Sequence, residues 1–142
     1  MNVNELQIGD YVNYRGQIIK VTSLYDKGGS NEVGWSDKES VWVNAINVEP
    51  IPLTTEILEK NGWIRTKYCY GRDCMEIHGA DELPEGVDNA LSMARWSLDK
   101  NYQYHFLDLF MWKGSVMQHN VHYVHQLQHA FKIFGIEKEI EL

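Results

Sequence analysis

Residues 121–134 read VHYVHQLQHAFKIF, and the fold depends on how this stretch is placed. At about 100° per residue, Val124, Leu127, Phe131 and Phe134 fall on one face of a helix, with His122, His125 and His129 opposite. The apolar face predicts a helix packed on a core. The other face gathers three of the chain's six histidines. Gly135 follows as the left-handed residue that ends such helices. A packing helix needs a surface to pack on, and the preceding residues supply strands.

Residues 63–70 (WIRTKYCY) and 74–78 (CMEIH) flank Gly71-Arg72-Asp73 and predict a hairpin. Residues 88–100 carry both a helical spacing (Val87, Leu91, Ala94, Leu98) and a weak alternation. The turn signal Asp99-Lys100-Asn101 leading into another strand favours the alternation, so a strand is expected there. Residues 102–112 are rich in aromatics and continue the sheet, and Lys113-Gly114 turns the chain into residues 115–119. The tail, IEKEIEL, alternates apolar and acidic residues, and fits a last edge strand or a loose end.

Further back, Glu49-Pro50-Ile51-Pro52-Leu53 is extended, because proline restricts its own φ and the residue before it. Thr54 or Thr55 then caps a short helix, EILEKNG, which Gly62 ends. The first fifty residues read as short strands at 6–14, 17–24, 33–36 and 40–46. Arg15-Gly16, the loop 26–31 and Asp37-Lys38 separate them. Closely spaced strands of this kind predict a small barrel. The expected fold is therefore α+β, with an SH3-like small β-barrel over residues 1–53. Residues 54–142 form an α+β part with a short helix, a second antiparallel sheet and the C-terminal packing helix. The two parts are compatible with one shared core.

The 142 residues are 44% hydrophobic and 12% aromatic, enough for an ordered core without a staple. The formal net charge is −7, with 13 basic residues scattered among 20 acidic ones. Duplex nucleic acid and anionic membranes require clustered basic residues, so neither is an expected partner. MNVNELQIGDYV has no basic segment followed by an apolar core, and no apolar run approaches a membrane span. A cytoplasmic protein with reduced thiols is expected.

Three pieces carry a family resemblance. Ile8-Gly9-Asp10-Tyr11-Val12 with Tyr14 and Gly16 is the first. Glu49-Pro50-Ile51-Pro52-Leu53-Thr54 running into Glu56-Ile57-Leu58 is the second, and Tyr123-Val124-His125-Gln126-Leu127-Gln128 the third. In this order the chain resembles a family of small uncharacterised proteins from Bacteroidetes genomes and their phages. The resemblance covers about a third of the chain. It implies a phage or prophage setting in the host cytosol and carries no catalytic residue with it.

Several constellations have chemical potential. His122, His125 and His129 stand at i, i+3 and i+7, and two such imidazoles can ligate Zn²⁺ with water or a carboxylate. No HExxH glutamate lies between them, and a solvated or packed face is the preferred account over a metal site. Cys69 and Cys74 flank a hairpin at a separation that permits a disulfide or a pair of metal ligands, yet two inert, partly buried thiols need no second pair. Asp81, Glu82, Glu85 and Asp88 match no calcium loop and read as a solvated acidic loop. Gly28-Gly29-Ser30 lacks the lysine and following helix of a phosphate loop. Tyr102, Tyr104 and Phe106 share one strand face, with Trp96, Arg65, Arg72 and Arg95 elsewhere in the same sheet. Such a row commonly packs in a core, and it can also stack a base while arginine holds a phosphate.

No nucleophile, base and orienter are visible together. The leading expectation is a non-enzymatic binding protein, a phage or prophage accessory factor acting on a host protein. A small-molecule binder that sequesters a nucleotide signal of host defence is the alternative, using the aromatic and arginine residues. A metal-dependent enzyme on the histidine stripe comes third. The outer face of the terminal helix is also a plausible homo-oligomer contact.

Overall fold

The structure, a computed structural model, describes residues 1–27, 30–35, 41–66, 73–79, 85–86, 90–99 and 104–142. The fold is α+β and mostly sheet, and the chain divides into two compact units. One comprises Met1–Pro52 with Tyr123–His129, and the other Leu53–His122 with Ala130–Leu142. The terminal helix, expected wholly in the second part, is divided between the units.

In the first unit, β1 (Tyr11–Tyr14) and β2 (Gln17–Lys20) form a two-residue hairpin. Arg15 and Gly16 both take positive φ, at 51° and 83°, the geometry that matches the twist of the flanking strands. β3 (Ser23–Lys27), β4 (Ser30–Gly34) and β5 (Trp42–Asn44) form an antiparallel meander. A 3₁₀ turn at Ala45–Asn47 leads to β6 (Glu49–Pro50), which pairs with β1. Alternation directs Val12, Ile19, Val33 and Val48 inwards with Val3, Leu6, Val21 and Ala45 to make one buried core.

The expected barrel is corrected at this point, because the described strands do not close. Two three-stranded sheets form instead, ordered β2-β1-β6 and β3-β4-β5. The pairing changes hands at Val21–Thr22. The Val21 N–H donates to the Asp10 carbonyl at 2.8 Å, whereas the Thr22 N–H donates to Gly34 at 2.8 Å. The 3₁₀ turn interrupts the other side between β5 and β6.

In the second unit, α1 (Thr55–Lys60) is capped as expected, with Thr54 Oγ1 accepting the Ile57 N–H at 3.3 Å. Gly62 follows at φ 82°. β7 (Ile64–Thr66), β8 (Asp73–His78), β9 (Leu91–Asp99), β10 (Tyr104–Met111) and β11 (Gly114–His119) form an antiparallel meander in the order β11-β10-β9-β8-β7. Residues 91–99 are thus a strand. Cross-strand register puts Met75, Trp96 and Leu107 in one row, and Ile77, Ala94 and Leu109 in the next, all buried. The Trp96 Nε1–H donates to the Val121 carbonyl at 3.0 Å, and Trp63 stacks in parallel on Phe131 at 6.4 Å. The tail forms no strand. Asn61 fastens it, donating to the Glu141 carbonyl and accepting its N–H, both at 2.8 Å.

The last helix, α2 (Val124–Ile133), starts three residues later than its sequence period suggests. Residues 121–123 are extended, because Tyr123 forms an antiparallel bridge with Pro52 and the His122 carbonyl accepts the Leu53 N–H. Val124, Leu127 and Phe131 are buried as the stripe predicts. However, Val124 and Leu127 group with the first unit and Phe131 with the second, so the stripe does not pack on the second sheet alone.

Candidate functional site

The first and third motif pieces and the start of the second, through Pro52, belong to the first unit and meet at the start of α2. The Val124 N–H donates to Ile51, and Gln128 brackets the segment before β1. Its Nε2 donates to the Gly9 carbonyl, and its Oε1 accepts the Tyr11 N–H, both at 3.2 Å. At the helix start the Gln126 side chain reaches back to accept the Tyr123 N–H at 3.2 Å, as in a capping box. One turn along, the His129 Nε2 meets both carboxylate oxygens of Asp10, at 2.9 and 2.8 Å. Asp10 is only 2% exposed, and its Oδ2 also accepts the Gln7 N–H at 2.7 Å. Gly9, at φ 100°, turns the chain into Asp10 through a conformation that side chains rarely adopt.

His125 stands between these groups and is 3% exposed. Its ring lies parallel to Tyr123 at 5.8 Å and edge-on to His129 at 5.6 Å. Burial pushes its pKa down, against a smaller opposing pull from the Asp10 carboxylate; His129 lowers it further and Glu5 raises it. Its Nδ1 is buried and has no hydrogen-bond partner among the described residues. A cavity of about 410 Å³ opens here, lined by Met1, Glu5, Pro50, Tyr123, His125, Gln126 and His129. The lining carries two imidazoles, the Glu5 carboxylate, the Gln126 amide and Met1 with its N-terminal ammonium, and no serine, threonine or cysteine as a nucleophile.

The predicted histidine stripe is corrected. His122 precedes the helix and belongs to the second unit, where its Nδ1 contacts that of His105. His105 stacks on Trp96 at 5.1 Å, and burial, then His122, lower its pKa. His125 and His129 line the same cavity. Among the described residues, no group of three or more His, Cys, Asp and Glu side chains is placed to hold a metal ion.

The described members of the predicted aromatic and arginine set are divided between the two faces of the sheet. Tyr102 and Arg72 lie outside the described residues, as does the Tyr104 side chain. Trp96 is buried in the sheet core, and Arg65, opposite Met75 on that same face, is exposed beside Glu59 at 3.8 Å. Arg95 and Phe106 take the other face. There Arg95 Nε donates to Glu76 at 2.6 Å, and its guanidinium lies 5.4 Å from the centre of the Phe110 ring. Cys74 is buried and disulfide-bonded, which corrects the expectation of inert thiols; Cys69 lies outside the described residues. Gly28, Gly29, Asp81, Glu82 and Asp88 lie outside them too.

A feature that sequence reasoning passed over lies on the outward face of β3-β4-β5. Leu24, Val33 and Val43 pair across its inner face. Alternation therefore turns Tyr25 and Trp42 outwards, 44% and 40% exposed, with their rings edge-to-face at 6.2 Å. Gly34 lies beneath Trp42, where a Cβ would press on the indole at 3.4 Å and collide with Ser23 Oγ. Val41 and Ile46 of the same unit are also exposed. No helix among the described residues is long and apolar enough to cross a membrane. No protein-family model, curated protein or solved structure matches the chain.

Proposed function

We propose that this chain is a non-enzymatic binding protein whose first unit recognises a partner protein. The carrying observation is the Tyr25–Trp42 pair, two large aromatics held in fixed contact on an outward sheet face. Aromatic side chains bring large contact area at low entropic cost, and they dominate the energetics of protein interfaces. The net charge of −7 suits a partner with a basic face. The strand order of the first unit, with a 3₁₀ turn before a last strand that returns to β1, supports an SH3-like module. Fold analogy is a weaker warrant than the aromatic face itself. The resemblance carried by the three motif pieces supports a phage or prophage accessory factor acting on a host protein.

The test is affinity capture from host lysate with the wild-type chain and the double variant Tyr25→Ala/Trp42→Ala, side by side. We expect a defined host protein with the wild type, its recovery falling with added salt, and its loss with the variant. Identical recovery by both proteins would sink the proposal.

A further inference from the structure

We propose that His105 and His122 form an acid-released latch, which fastens residues 120–122 and the adjoining Leu53 to the sheet of the second unit. This inference is independent of the aromatic face and would survive its failure. The latch lies where the chain leaves β11. Asn120 takes φ 63°, a left-handed conformation that asparagine tolerates. Its N–H donates to the His105 carbonyl at 2.7 Å, and its own carbonyl accepts the His122 N–H at 3.1 Å. Trp96 donates from Nε1 to the Val121 carbonyl at 3.0 Å, and His105 stacks on the same indole at 5.1 Å. The two imidazoles meet nearly edge-on, with ring centres 4.3 Å apart and the Nδ1 atoms 2.5 Å apart. The His122 carbonyl in turn accepts the Leu53 N–H at 2.8 Å, one residue before the Thr54 cap of α1.

Two imidazole nitrogens in such contact can share one proton and no more. With both rings neutral, one Nδ1 donates and the other accepts. A first added proton goes to Nε2 of the donor ring, and the bond gains charge assistance. A second must go to the accepting Nδ1, which sets two N–H groups and two positive charges against each other. The latch therefore holds with neither ring or one ring charged, and opens when both are. From β9, His105 is stacked on Trp96 and paired with Leu98, neither of them ionisable. Burial, then His122, lower its pKa, and no carboxylate among the described residues opposes them. The side chains of Asp99 and His119, at the neighbouring strand ends, lie outside the described residues. Opening is thus an event of acidification below the ordinary histidine value of 6.5.

The experiment is an imidazole ¹⁵N NMR titration of the full chain from neutral to acidic pH, with amide exchange at Leu53 as a second readout. Near neutral pH we expect one Nδ1 protonated and the other not, with a scalar coupling across the hydrogen bond. As the second ring charges, the coupling should vanish. Protection at Leu53, corrected for intrinsic exchange, should fall about tenfold or more, while that at Leu109 in the sheet core holds. His105→Phe keeps a ring against Trp96 and has no nitrogen to share, so its Leu53 protection should show no acid step. The wild-type coupling alone decides the matter if that variant does not fold. Absence of the coupling near neutral pH, or its persistence with both rings charged, would overturn the proposal. So would a Leu53 response no larger than that of Leu109, or the same acid step in His105→Phe.

Discussion

Removing the Asp10 carboxylate should loosen the first unit more than any surface substitution. Asp10 is 2% exposed and accepts from the Gln7 N–H at 2.7 Å and from His129 Nε2 at 2.8 and 2.9 Å. A hydrogen bond to a charged group contributes about 1.5–3 kcal/mol, and breaking a buried pair costs about 3–5 kcal/mol. The His129 side chain is 20% exposed, so water takes up part of its lost partner and the upper figure must be discounted. We therefore expect Asp10→Ala to cost about 2–4 kcal/mol, and Asp10→Asn, which keeps one acceptor for Gln7, about 1–2 kcal/mol. In a cycle with His129→Ala, the pair should show a coupling of about 1–2 kcal/mol. Urea unfolding gives the totals. Amide exchange at Val21, whose N–H donates to the Asp10 carbonyl, confines the loss to the first unit. Stabilities within about 0.5 kcal/mol of wild type for both Asp10 variants would refute the reasoning.

Stability should also depend on pH through two histidines. His125 and His105 are both held below the ordinary value of 6.5, chiefly by burial, so the unfolded chain binds more protons than the folded one below that pH. Their contribution is present above 6.5 and is lost as pH falls through the lower folded values. The urea midpoint should drop on acidification and drop less in His105→Phe/His125→Phe; equal slopes would contradict this. Thr54→Ala should cost about 1 kcal/mol by exposing the Ile57 N–H, with Thr54→Ser close to neutral in the same denaturation assay. Gly79→Ala should cost about 1–3 kcal/mol, because the new Cβ collides with the Leu91 carbonyl and opens the end of β8-β9; an unchanged urea midpoint would dismiss it.

Local signals in the sequence were legible wherever local chemistry decides. Arg15-Gly16 turns because both residues take positive φ, and Thr54 caps because its oxygen reaches Ile57. Residues 91–99 alternate because Ala94 and Trp96 face a core while Met93 and Arg95 do not. That same alternation places Trp96 and Arg95 on opposite faces of the sheet. What could not be read was non-local. Periodicity extends the last helix back to Val121, but pairing with Pro52 and Leu53 holds residues 121–123 extended, and this removes His122 from the stripe. Asp10, far from His129 in sequence, carries no local mark of its role. The split of α2 between two units likewise depends on partners that period alone cannot identify.

The most direct measurement is the affinity of the captured host protein for the wild-type chain and for Trp42→Ala, compared at matched folding. Truncating a central aromatic at an interface costs about 2 kcal/mol or more, so we expect binding to weaken about thirtyfold or more, with the melting temperature little changed. An affinity for Trp42→Ala equal to that of the wild type would contradict the assignment of this face as the recognition surface.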